Sequence, residues 1–138
     1  MIWHCIRFTL KPDVSEADKA AGLARMGEHI TAIPSITARV VGPEFGGEFD
    51  YGAVTVLEDI EAYEAYMNHP AHLAMDRIGL PLVDRFVSYD ITDDPDPEIG
   101  EKIADVHRRR FENVPDVAEL VSGLSEYTGS SAPGKHRN

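Results

Sequence analysis

One strand with two apolar faces constrains this chain more than any other feature. Ile2, His4, Ile6, Phe8 and Leu10 alternate with Trp3, Cys5, Arg7 and Thr9 until Lys11-Pro12-Asp13 ends the run. That period of two is imposed by a β-strand, whose successive side chains point to opposite sides of the pleat. The first set needs a covering layer. The second, led by Trp3, is too apolar to be left comfortably in water. A sheet built on this strand therefore needs helices on one side and a different cover on the other.

The rest of the chain supplies the helices. Ser15 followed three residues later by Asp18 reads as a capping box, and Leu23, Met26, Ile30 and Ile33 recur at helical spacing until Pro34, which predicts a helix over 15–33. The β-branched run "ITARVVG" and the segment "YGAVTVLE" read as two strands joined through the glycine-rich turn "GPEFGGEFD". Asp59 can cap a second helix with Ile60, Tyr63, Tyr66 and Met67 on one stripe; it ends near His69, because the residue before a proline avoids the helical region. A short helix over 71–78 follows, with His72, Met75 and Ile78 inward, and then "RFVSYDI" as the last strand. The order β-α-β-β-α-β is the ferredoxin-like α+β arrangement, an antiparallel sheet with both helices on one face. Its bare face, carrying Trp3, is expected to be covered by a second copy of the chain, a homodimer.

A chain of 138 residues supports one core. We place a ferredoxin-like domain at 1–92 and an acidic C-terminal extension at 93–138, partly helical with a flexible end. "TDDPDPEIG" is a linker, "EKIADVHRRRFENV" is helix-compatible and "GSSAPGKHRN" is expected to be flexible. Ile103, Val106, Val117 and Val121 in the extension call for a docking surface, on its own domain or on the partner subunit. Arg108-Arg109-Arg110 lies among acids and reads as a solvated helix end or an intersubunit ion-pair site.

Charge narrows the partners. With 24 acids against 13 Lys plus Arg, a net charge of -11 and a pI near 4.8, neither nucleic acid nor anionic membrane is expected as a partner. No apolar run is long enough to span a bilayer and "MIWHCIRF" lacks the layout of a secretion signal. The single Cys5 fits a reducing compartment, so the expected location is cytoplasmic.

The chemistry concentrates in "YMNHPAH". His69 and His72 are three residues apart, neighbours on a helix face if Pro70 leaves the geometry helical. A metal site would need further ligands, of which His4 is a candidate, but no carboxylate stands in clear register, so neither metal nor cofactor is expected. An imidazole with a phenol one to two turns away supplies a base near neutral pH and a group to hold a carbonyl, which makes His72 a candidate base and Tyr66 its partner. The plainer alternative is that both are core residues whose polar tips find backbone partners. His4 shares the helix-facing side with Ile2 and Ile6, and is either a satisfied core residue or a cavity wall. Cys5 lies on the opposite face with nothing nearby to activate it. "GPEFGG" is a turn and lacks the helix and Lys/Ser pair of a phosphate loop.

"IWHCIRFTLKPDVSEADK", "IPSITARVVGP" and "AYMNHPAH" running into "PLVDRFVSYDI" resemble, over about residues 1–92, the stress-responsive dimeric α/β-barrel (Dabb) family. The resemblance implies a ferredoxin-like protomer whose homodimer closes a barrel. Its olivetolic-acid-cyclase branch works without metal or organic cofactor; by that likeness His72 is the base, Tyr66 its partner, and His4 and His69 shape the cavity. Met26 stands where that branch places a tyrosine, which removes one polar wall. The function expected is binding of a small, partly apolar molecule in a cavity lined by His72, Tyr66, His4, His69, Met26 and Met75. The alternative is a cofactor-free cyclase, lyase or isomerase acting on an enolisable carbonyl.

Overall fold

The computed structural model describes residues 1–129, so the predicted flexible end falls outside the described residues from 130 on. The opening alternation forms strand β1 (Ile2–Leu10), the middle of a five-stranded sheet. β3 (Tyr51–Leu57) and β4 (Val83–Thr92) flank it antiparallel, β2 (Ile36–Pro43) pairs outside β3, and the four-residue β5 (Glu126–Gly129) runs parallel to β4, giving the order β2-β3-β1-β4-β5.

Helix α1 (Glu16–Ile30) starts where Ser15 accepts the Asp18 N–H at 3.1 Å. It ends three residues earlier than the spacing predicts, because Thr31 to Ile33 close as a turn on Gly27, His29 and Ile30 carbonyls, with Ile33 still buried. Asp59 caps α2 (Ile60–Asn68) by accepting from Ala62 N–H. Pro70 forces His69 into an extended conformation (φ -64°, ψ 137°), and the proline itself opens α3 (Pro70–Gly79). A 3-10 turn at Leu80–Leu82 leads into β4.

The extension forms α4 (Ile99–Asn113) and α5 (Pro115–Ser122) and docks on its own domain. Ile103 and Val106 of α4 join Ile2, Leu57, Tyr63 and Met67 in one core cluster, while Val117, Val121 and Tyr127 gather round Leu80 in another. Each such aliphatic side chain contributes about 1.5–3 kcal/mol on burial. The Arg109–Glu64, Arg77–Asp116 and Arg85–Glu126 pairs at the rim are partly exposed and add little to that. Buried apolar contact, rather than charge, holds the extension down.

The opposite sheet face is uncovered. Trp3, Val40 and Ile91 are 49%, 63% and 59% exposed there, around the buried thiol of Cys5.

Candidate functional site

Between the helices and the sheet lies a cavity of about 500 Å³. Its apolar walls include Phe8 and Ile6 from β1, Leu23 and Met26 from α1, Met75 from α3 and Phe86 from β4. Gly79 lets α1 approach α3 here: a Cβ at that position would stand 2.4 Å from the Met26 sulfur. Polar side chains collect at one end, and the register of the sheet explains why.

His4 faces the helices on β1 and sits opposite Thr55 of β3 and Asp90 of β4. The Asp90 carboxylate lies 2.8 Å from His4 Nδ1, with both side chains buried. A carboxylate only accepts, so His4 Nδ1–H is the donor in this bond. The Tyr63 phenol of α2 stands 3.2 Å from His4 Nδ1 and 2.6 Å from His107 Nε2 of α4. Burial first, and then the Asp90 charge, raise the Tyr63 pKa well above the ordinary phenol value, so it stays protonated. Asp90, His4, Tyr63 and His107 thus link four elements through one buried polar chain.

The second half of the site lies at the α2–α3 junction. The rings of Tyr66 and His72 meet with centroids 4.6 Å apart, and both line the cavity. Burial pushes Tyr66 up to about 12 and pulls His72 well below the ordinary imidazole value, helped for His72 by the charges of Arg110, His4 and His107. At neutral pH the pair therefore offers a phenol donor and an uncharged imidazole. Arg110 of α4 is buried against them: its Nε donates to Met67 O at 3.1 Å, its Nη2 pairs with Asp76 and lies 3.5 Å from His72 Nδ1.

Five of the six predicted site residues line this cavity: His72, Tyr66, His4, Met26 and Met75. His69 is absent from its walls. The extended backbone that Pro70 enforces turns the His69 ring back onto α3, where its Nδ1 accepts the Ala71 N–H at 3.0 Å. Among the described residues no group of three His, Cys, Asp or Glu side chains is spaced to hold a metal ion. The arginine run also divides. Arg108 and Arg109 are the exposed ion-pairing residues expected, bonded to Asp105, Glu112 and Glu64 of the same chain, whereas Arg110 is 4% exposed.

Asp90, Asp76 and His107 are not expected from sequence, and Tyr63 and Arg110 are expected only as a stripe residue and a solvated or ion-pairing helix end, not as members of the site. Two signals were present. Phe86, Ser88 and Asp90 alternate toward the helices along β4, and Ile103, Val106, His107 and Arg110 fall at i, i+3, i+4 and i+7, a single helical stripe that ends in a cation.

A family model described as the stress responsive A/B barrel domain, Dabb, matches residues 2–93. Among solved structures, a Dabb family protein with a ferredoxin-like fold from Mesorhizobium loti superposes at TM-score 0.60 and 26% identity, covering 66% of this chain and 94% of that one. A dimeric ferredoxin-like protein of unknown function from Thermobifida fusca gives TM-score 0.60 at 23% identity, covering 66% and 89%. The hydroxynitrile lyase of Passiflora edulis gives 0.59 at 14%, covering 67% and 94%. Curated proteins give no match. Among the described residues no helix is long and apolar enough to cross a membrane.

Proposed function

This chain belongs to the stress-responsive A/B barrel domain family, and from that premise we propose that it binds a small, largely apolar molecule bearing one carbonyl or hydroxyl in the cavity between helices and sheet. The cavity itself carries the reading: about 500 Å³, apolar along its length and polar at one end, it falls within the roughly 300–1,000 Å³ of small-molecule sites. The Tyr66 phenol is the donor to the ligand's carbonyl or hydroxyl oxygen, and the neutral His72 imidazole is the acceptor where that group is a hydroxyl. Close-packed interiors leave few voids larger than a water molecule, so a hollow this size in a small domain points to an occupant.

A second reading is favoured by the protonation pattern. A base must be unprotonated to abstract a proton and its partner must carry one to hold the developing oxyanion, which describes His72 and Tyr66 near neutral pH. The reaction is then cofactor-free proton transfer next to a carbonyl, of the cyclase, lyase or isomerase type. The Passiflora enzyme has a similar fold, but fold alone carries no activity across. The uncovered sheet face around Trp3, Val40 and Ile91 is, in this proposal, the homodimer contact; the Thermobifida protein of similar fold is dimeric. Cys5, buried and unpaired, suits a reducing, cytoplasmic setting.

The test uses 2-acetylnaphthalene, an apolar bicycle with one enolisable carbonyl. Titrated into protein labelled with 13C at histidine Cε1, it should shift the His72 signal saturably, and Met26→Trp, which fills the cavity, should abolish the effect. Shifts that do not saturate, or that survive in Met26→Trp, contradict the binding reading. Exchange of the acetyl protons in D2O, lost in His72→Ala, supports turnover; no exchange in the wild type removes the enzymatic reading and leaves binding.

A further inference from the structure

We infer that Arg110, contributed by the C-terminal extension, is a positioning residue of this site: it reaches from α4 to tie the end of α2 to the first turns of α3, and so fixes the His72 imidazole that the ligand meets. The inference rests on the cavity being a binding site and adds that the family domain alone does not complete it, since the family match ends at residue 93.

The backbone break at His69 creates the need. In an unbroken helix the Met67 carbonyl would accept from the N–H of Ala71, four residues on. That N–H instead donates to His69 Nδ1, and Met67 O is left at the end of α2. The Nε of Arg110 donates to it at 3.1 Å, and the His72 ring meets the same carbonyl. Its Nη2 takes Asp76, one turn after His72 on α3, and passes 3.5 Å from His72 Nδ1. A planar guanidinium with donors in a fixed fork can make both bonds at once; an ammonium cannot hold that geometry.

Docking alone does not call for an arginine. Desolvating a buried ion pair costs more than packing an apolar residue of similar size, and replacing such pairs with hydrophobic groups is often neutral or stabilising. The stripe of Ile103 and Val106 already seats α4. A cation at its last turn, buried beside an imidazole and a cavity, has a role beyond adhesion.

That role includes charge. His72 faces Tyr66 from α2, His4 from β1, His107 and Arg110 from α4, and Asp76 on its own helix, 3.7 Å away. After burial, the Arg110 charge is the largest influence disfavouring a proton on His72. The Met67 carbonyl acts the other way, and the nearby Asp76 carboxylate is held in its pair with Arg110.

Histidine titration by 13C and 15N NMR decides the matter on the full chain without a ligand. Arg110→Met, which keeps apolar docking, should fold and should raise the His72 midpoint by about one unit, tenfold in proton affinity, because Asp76 is left uncompensated. Arg110→Lys restores the charge without the fork, and should recover the midpoint in part while the His72 ring 15N shifts stay altered. Unchanged midpoint and ring shifts in folded Arg110→Met overturn the inference; if that variant does not fold, unchanged ring shifts in Arg110→Lys do so. Titrating 2-acetylnaphthalene into the wild type keeps the two proposals apart. Failure of that probe to bind defeats the cavity reading, while the His72 titration still decides the role of Arg110.

Discussion

Tyr63 shows how much one hydroxyl can carry when it is fully buried. It stands between His4 on the sheet and His107 on the extension, so Tyr63→Phe removes the hydroxyl from both contacts. The expected cost is about 1–3 kcal/mol in chemical denaturation, the desolvation penalty of an unmade bond. A neutral cost would mean that the polar chain is not formed in solution. At this scale the sequence revealed residue types better than relationships. His72, Tyr66 and His4 were legible because each combines reactive chemistry with an inward periodic position. Their pairing with Asp90 and Arg110 is not legible, because contact across 86 residues, as in His4–Asp90, or 38, as in His72–Arg110, leaves no local mark. His69 presents the opposite case. Its spacing from His72 was visible, but the extended backbone before Pro70 redirects its ring.

Elements divide the same way. The opening strand, the helix pair broken at Pro70 and the hairpin strands were readable, since each is several periods long and punctuated by a cap, proline or glycine. β5 was not: four residues cannot display a period, and its parallel pairing to β4 is made only when α4 and α5 bring the chain back. Gly129 seals it. With φ at +105° and a would-be Cβ 1.8 Å from the Ser88 carbonyl oxygen, no other residue fits without moving the strand. Gly129→Ala should therefore abolish protection of the β5 amides in hydrogen exchange while leaving β1 and β3 protected; retained protection in β5 would show that the close approach does not persist. The α4 stripe makes a firmer prediction. Ile103 is 3% exposed in the principal core, and Ile103→Ala should cost about 2–5 kcal/mol. A loss under 1 kcal/mol would mean that the extension is only loosely seated.

For the whole molecule, the buried imidazole ties stability to acid. His72 titrates well below the ordinary value when folded, so between about pH 6.5 and that lower point the unfolded chain binds a proton that the folded chain does not. Its contribution is fully present above about 6.5 and is lost as pH falls, at no more than about 1.4 kcal/mol per unit. His72→Gln should flatten urea-measured stability between about pH 6.5 and 5.5, a window largely above the carboxylates; an unaltered slope would show that His72 takes up its proton freely. The second global property is assembly. Trp3→Asp puts a charge on the uncovered face without touching the cavity, and should turn a sedimenting dimer into a folded monomer. A wild type that sediments as a monomer would remove the dimer from the proposal.

The claim on which the rest depends is that the hollow under the helices is a place for a ligand. A crystal structure grown with 2-acetylnaphthalene tests it most directly. The account predicts the bicycle between Phe8 and Met75, with its carbonyl about 3 Å from Tyr66 or from a donor beside His72. Side chains filling that space, or the probe seated only on the Trp3 face, would contradict it.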